Sequence, residues 1–148
     1  GYMQHNARES FRLIDLEYSL SIAKLAYDSG ARSIALVSAV GAQEGSFNYY
    51  FHIKGKLENA IKKIGYENIC FARPGHLLGV RKDFRGYEIP ILESGLRIAA
   101  PFMQGPLKNF RQIEAKQVAE RMVMNLLNKQ KGESYLYYED FLKTETFE

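Results

Sequence analysis

Helical and extended periodicities alternate twice in the first half of this chain, and that alternation leaves few folds open. Residues 9–29 carry Leu16, Leu20, Ala23 and Ala26 at steps of three and four, which predicts a helix, with Gly30 as its stop. Residues 32–37, "RSIALV", form a short β-rich run that ends at Ser38, and "GAQEGSFN" after it reads as a loop. A second helix is predicted over 49–64, with Tyr50, Ile53, Leu57, Ala60, Ile61 and Ile64 as its apolar stripe and Gly65 as its end. Residues 67–73, "ENICFAR", make a second strand, stopped by Pro74-Gly75. Helix, strand, helix, strand at this rhythm predicts an α/β fold with a parallel sheet buried on both faces.

The second half is less regular. Residues 76–110 hold Pro90, Pro101 and Pro106, with a short helix expected over 90–99. Residues 112–128 predict an amphipathic helix, and 133–142 a last strand and its exit. No repeat, low-complexity tract or linker divides the chain, so residues 1–148 read as one domain. Yet they offer at most three good strands and open on the polar "GYMQHNARES". The chain therefore reads as the C-terminal portion of a larger α/β domain, its N-terminal strands lacking.

Charge narrows the partners. Lys and Arg number 20 against 17 Asp and Glu, a net charge of +3, which is too weak to argue for nucleic acid. Lys54, Lys56, Lys62 and Lys63 fall on or near one predicted helix and read as a solvated face. No apolar run reaches 18 residues, so no membrane span is expected, and residues 1–12 do not resemble a secretory leader. The single Cys70 sits in "NICFA" as a small core residue, consistent with a reducing cytoplasm. The three His, at 5, 52 and 76, lack ligand spacing, and no metal site is expected.

"YYFHIKGKLE" carries the chemistry. Tyr50 and Lys54 are four apart, which on a helix puts them on one face, about 6 Å apart. An ammonium near a phenol favours the phenolate, lowering the tyrosine's pKa from about 10. A tyrosine so tuned can exchange a proton with a carbonyl or alcohol oxygen. Ser38, at a strand's carboxyl end where open α/β sheets bind ligands, could hold the same oxygen. Among 10 Tyr and many Lys, one such pair is expected by chance. The order gives it weight: a strand ending in Ser, a loop, Tyr-x-x-x-Lys opening a helix, then a strand ending in "RPG".

With "FRLIDLEYSLSIAKLAYDSGARSIALVSAVGA", "YFHIKGKLE" and "FARPGHLLG", residues 9–80 resemble the second half of an atypical short-chain dehydrogenase/reductase. The nearest branch is the one containing the Tat-interacting protein and its bacterial relatives, where Lys54-Gly55 followed by Glu58 is typical. The resemblance implies a Rossmann-like fold, NADP or NAD as cofactor, and carbonyl/alcohol oxidoreduction by a Ser-Tyr-Lys set. Tyr50 would be the general acid/base. Lys54 would lower its pKa and hydrogen-bond the nicotinamide ribose, and Arg73, Pro74 and Gly75 would border the nicotinamide.

Two departures qualify this. Many relatives have two serines where this chain has Ser38-Ala39, and no Gly-rich dinucleotide turn occurs among these 148 residues. About 90–100 residues at typical α/β unit lengths would precede the matched segment. The isolated chain is expected to bind NADP(H) weakly, and to self-associate through an exposed sheet edge or uncovered helix faces. The alternative function is a non-catalytic nucleotide-sensing or scaffold protein on the same fold. The substrate, a small molecule, is not legible.

Overall fold

The computed structural model describes residues 2–78, 105–128 and 130–143. The short helix expected over 90–99, with Pro90 and Pro101, lies outside the described residues. The N-terminal helical run is longer than the predicted 9–29. It comprises α1 (Tyr2–Arg12), a π-helical segment (Leu13–Tyr18) and α2 (Ser19–Asp28). Apolar periodicity marked only the part that packs on the sheet; residues 4–10 are exposed and left no such signal. Gly30 closes the run at φ 107°, a left-handed conformation that glycine adopts without a Cβ clash. Its amide donates to the carbonyl of Tyr27 and that of Ala31 to Ala26, both at 3.0 Å, the pattern of a Schellman stop.

β1 (Ser33–Val37), β2 (Asn68–Ala72) and β5 (Gly132–Leu136) form a three-stranded sheet in the order β1-β2-β5, parallel throughout. Every residue of the central β2 is buried. Its Ile69 and Phe71 pack with Ala23 of α2 and with Leu57 and Ile61 of α3 (Tyr49–Lys62). Its Cys70 and Ala72 face the opposite side, against Val118 of α4 (Ala115–Leu127) and Phe141 of α5 (Tyr138–Leu142). Two covered faces explain why β2 reads as a continuous apolar run and does not alternate. Burial pushes the Cys70 thiol up to about 11, so it is held as a neutral core group. This is an α/β, Rossmann-like arrangement of parallel sheet and flanking helices.

The helix predicted over 112–128 gives up its first three residues to a strand. β4 (Gln112–Glu114) pairs in parallel with β3 (His76–Leu78), and the partner strand with the burial of Ile113 outweighs helical propensity there. A 3-10 helix, Gly105–Phe110, precedes it. Along the N-terminal run, Ile14, Tyr18, Ile22 and Leu25 make an exposed apolar stripe, each more than half exposed.

Candidate functional site

Asn48 starts α3. Its side-chain oxygen accepts from the amides of Tyr50 at 2.9 Å and Phe51 at 3.4 Å, an N-cap that places Tyr50 and Lys54 one turn apart from the first turn onward. α1 runs alongside and meets α3 residue by residue. The Tyr49 hydroxyl donates to the Arg8 carbonyl at 3.1 Å, and the Arg8 guanidinium lies 5.3 Å from the Tyr49 ring centre. Phe11 stacks on Tyr50 with ring centres 5.4 Å apart. Lys54 Nζ donates to Asp15 Oδ1 at 2.6 Å, and the same ammonium lies 5.8 Å from the Tyr50 ring centre. A cation at that distance is attracted by the ring. Tyr50 remains 42% exposed, whereas the Lys54 side chain is 12% exposed. A reachable phenol beside a sheltered ammonium is an arrangement suited to proton transfer.

Ser38 follows β1 as expected, but it points inward. It is 3% exposed, its amide donates to the Ala72 carbonyl at 2.7 Å, and its hydroxyl has no hydrogen-bond partner among the described residues. The Tyr50 hydroxyl is therefore not bonded to it. Ala39 is equally buried.

Arg73 is committed elsewhere. Its Nε and Nη2 donate to the two carboxylate oxygens of Glu58 at 3.0 and 2.5 Å, Nη1 donates to the Tyr137 hydroxyl at 2.8 Å, and its guanidinium covers the Tyr135 ring at 4.6 Å. The hydrogen bonds it donates to Glu58 hold the Arg73 guanidinium well above its ordinary range against the opposing effect of burial. Pro74 is buried, its carbonyl accepting from the Val40 amide at 3.1 Å, and Gly75 is exposed. Arg73 thus closes on the protein itself, and the structure does not bring its guanidinium to the Tyr50–Lys54 pair.

Asp15 was not singled out in the sequence, and Gly55 and Glu58 entered only as a signature of the resemblance, without the roles they have here. Asp15 holds Lys54. Glu58 is 2% exposed and holds Arg73; a lone acid between Leu57 and Ile61 on the apolar face of α3 was the available signal. Gly55 lets the loop after β1 lie against α3. A Cβ there would sit 2.3 Å from the Gln43 carbonyl carbon and the Glu44 nitrogen. The loop is further tied by the Gln43 amide to the Phe51 carbonyl at 3.1 Å, by His52 to the Glu44 carbonyl, and by Asn59 to the Glu44 carboxylate at 2.7 Å.

Fold and pair together define the class: a Rossmann-like α/β chain with a tyrosine and a lysine beside the carboxyl ends of its strands. No family model matches it. It is 36% identical over 112 residues to Protein FMP52, mitochondrial, of Candida albicans, a match covering 75% of this chain and 49% of that protein. It is 40% identical over 78 residues to its namesake in Debaryomyces hansenii and 35% identical over 75 residues to that in Emericella nidulans, covering 34% and 32% of them. The chain thus spans about half the length, or less, of these curated relatives. Two expectations are corrected by them. The relatives belong to a distinct family under the name FMP52, so the placement in the Tat-interacting branch of the short-chain dehydrogenases/reductases is withdrawn. Their names say mitochondrial, which overturns the cytoplasmic expectation; a buried lone cysteine suits either compartment and could not separate them. Those names state neither oxidoreductase activity nor a cofactor.

Proposed function

We propose that the full-length protein is an NAD(P)-dependent oxidoreductase interconverting a carbonyl and an alcohol, and that it works in mitochondria as the names of its relatives say of them. The observation that carries this reading is the Lys54 ammonium held 5.8 Å from the ring of the exposed Tyr50. The residues present fit a nicotinamide ribose only in part. Lys54 and the exposed Tyr50 carry donors on one face of α3, while three of the Arg73 donors are already taken by Glu58 and Tyr137. When bound, the reduced cofactor supplies a hydride to the carbonyl carbon. Tyr50 gives its hydroxyl proton to the carbonyl oxygen, completing the alcohol, and Lys54 stabilises the phenolate left behind until solvent returns a proton.

The test is Tyr50→Phe in the full-length protein, assayed for NADPH- and NADH-dependent reduction of a panel of aldehydes and ketones. A loss of about 10²-fold or more in kcat, with cofactor affinity little changed, is expected for a removed general acid. Equal turnover by the variant returns Tyr50 to the structural tyrosines. A second reading, a nucleotide-sensing or scaffold protein without turnover, is favoured by the inward Ser38 hydroxyl, which leaves the substrate oxygen one donor short. Cofactor binding without reduction of any carbonyl by the unmodified protein would select it.

A further inference from the structure

We propose that Asp15 is the positioning residue of the Tyr50–Lys54 pair, fixing where the lysine's charge sits relative to the phenol. This rests on the proposed acid/base role of Tyr50 and adds a residue to it from a different helix.

The case begins with the backbone. Asp15 lies in the π-helical segment Leu13–Tyr18, a rare geometry in which backbone bonds span one residue more than in an α-helix and which recurs at functional sites. Here the wider spacing is matched by side chains five apart. Arg12 pairs with Glu17, and the Ser19 hydroxyl donates to the Ile14 carbonyl at 3.2 Å. The segment so held meets α3 in step: Phe11 covers Tyr50, and Asp15 takes Lys54, so an i,i+4 pair on one helix faces an i,i+4 pair on the other.

The charges then decide the consequence. The Asp15 and Lys54 side chains are 28% and 12% exposed, so water screens their 2.6 Å contact less than it would at the surface. Several charged and titratable groups on the packed elements are engaged with other partners. Arg8 covers Tyr49, and Arg12 is paired with Glu9 and Glu17. His52 is bonded to the Glu44 carbonyl, the Glu44 carboxylate to Asn59, and Glu58 to Arg73. Asp15 therefore offsets the charge of Lys54 beside Tyr50 and fixes where its ammonium lies, 5.8 Å from the ring centre, which favours the protonated, donating form of the phenol.

The experiment titrates Tyr50 directly in the full-length protein, by NMR of ring-carbon-labelled tyrosine, with Tyr50→Phe assigning the signal. Asp15→Asn is expected to lower the Tyr50 midpoint by about one pH unit, and to move the pH profile of carbonyl reduction the same way. In a Lys54→Met background the same change should have much less effect. Asp15→Glu keeps the ion pair and guards against a variant that fails to fold; its longer arm re-sites the ammonium and should move the midpoint by a smaller, measurable amount. A Tyr50 midpoint unmoved in every folded Asp15 variant, with only the melting temperature lowered, makes the pair a clamp between the π-helical segment and α3 and overturns the proposal. The titration needs neither cofactor nor turnover. Full activity in Tyr50→Phe would sink the enzymatic reading, whereas an unmoved midpoint beside an inactive Tyr50→Phe would sink this inference alone.

Discussion

Two corners of the molecule set a cation against aromatic rings near the carboxyl ends of the strands, and they are built to opposite ends. At Arg73 the guanidinium spends three of its donors on the protein itself: two bonds to Glu58, one to Tyr137, with the Tyr135 ring beneath. At Lys54 the ammonium has one carboxylate, Asp15, and beside it a tyrosine that solvent still reaches. A planar cation with five fixed donors can be used up by a protein's own groups, whereas a lysine's compact charge leaves capacity for a ligand. Both residues had equal standing as site candidates in the sequence; satisfaction of their donors separates them.

The largest expected effect tests the closed corner. Arg73→Ala strands the Glu58 carboxylate, whose side chain is 3% exposed, and should cost about 3–5 kcal/mol in the full chain, read from the midpoint of urea unfolding. Lys54→Ala leaves Asp15 at 28% exposure, where water compensates, and should cost about 1 kcal/mol. Equal losses would erase the distinction between a structural and an available cation.

Gly55→Ala comes next. The glycine's φ is not in the left-handed region, so the cost is steric. The new methyl would meet Gln43 and Glu44 backbone, which cannot swing aside as a side-chain tip can. A loss of about 1–3 kcal/mol is expected, with altered amide signals in residues 41–48 and unchanged ones around Arg73. A neutral substitution would show that the loop lies less tightly on α3 than the Gln43 and His52 contacts imply.

Much of the frame was legible because periodicity reports burial. Ile69 and Phe71 of β2 and Leu57, Ile61 and Ile64 of α3 pack as predicted, whereas Tyr50 of the same predicted stripe is 42% exposed, and Gly30 and Gly65 stop their helices at positive φ. What spacing could not show is where a polar side chain spends its bonds. Ser38 sits at the predicted strand end yet is buried, its amide held by the Ala72 carbonyl at the end of the neighbouring strand and its hydroxyl without a partner among the described residues. The Asp15–Lys54 contact joins residues 39 apart through a π-helical register that has no compositional mark. The polar start of α1 was likewise invisible, since an exposed helix has no apolar stripe to read.

The smallest effect tests the closed corner by pH. Tyr137, which supplies the Arg73 corner with its hydroxyl, is also the N-cap of α5, and its amide donates to Asp140 Oδ2 at 3.0 Å. Burial raises the Asp140 carboxyl, but hydrogen bonds from Lys143 and from the Tyr137 amide outweigh it and leave the group below its ordinary value. A carboxyl lowered by folding contributes stability that is complete above the unfolded value of about 3.9 and is lost as pH falls through the folded one. The loss at acid pH should be no more than about 1 kcal/mol, the scale of a helix cap. As pH falls through the lowered Asp140 value, amide signals of Tyr138–Leu142 and of Arg73 should shift together. Asp140→Ala should already show part of that shift at neutral pH and lose the acid dependence. If the Arg73 signal does not follow those of Tyr138–Leu142, or if Asp140→Ala keeps the acid response, Tyr137 is held by its ring contacts alone and the closed corner owes nothing to the cap of α5.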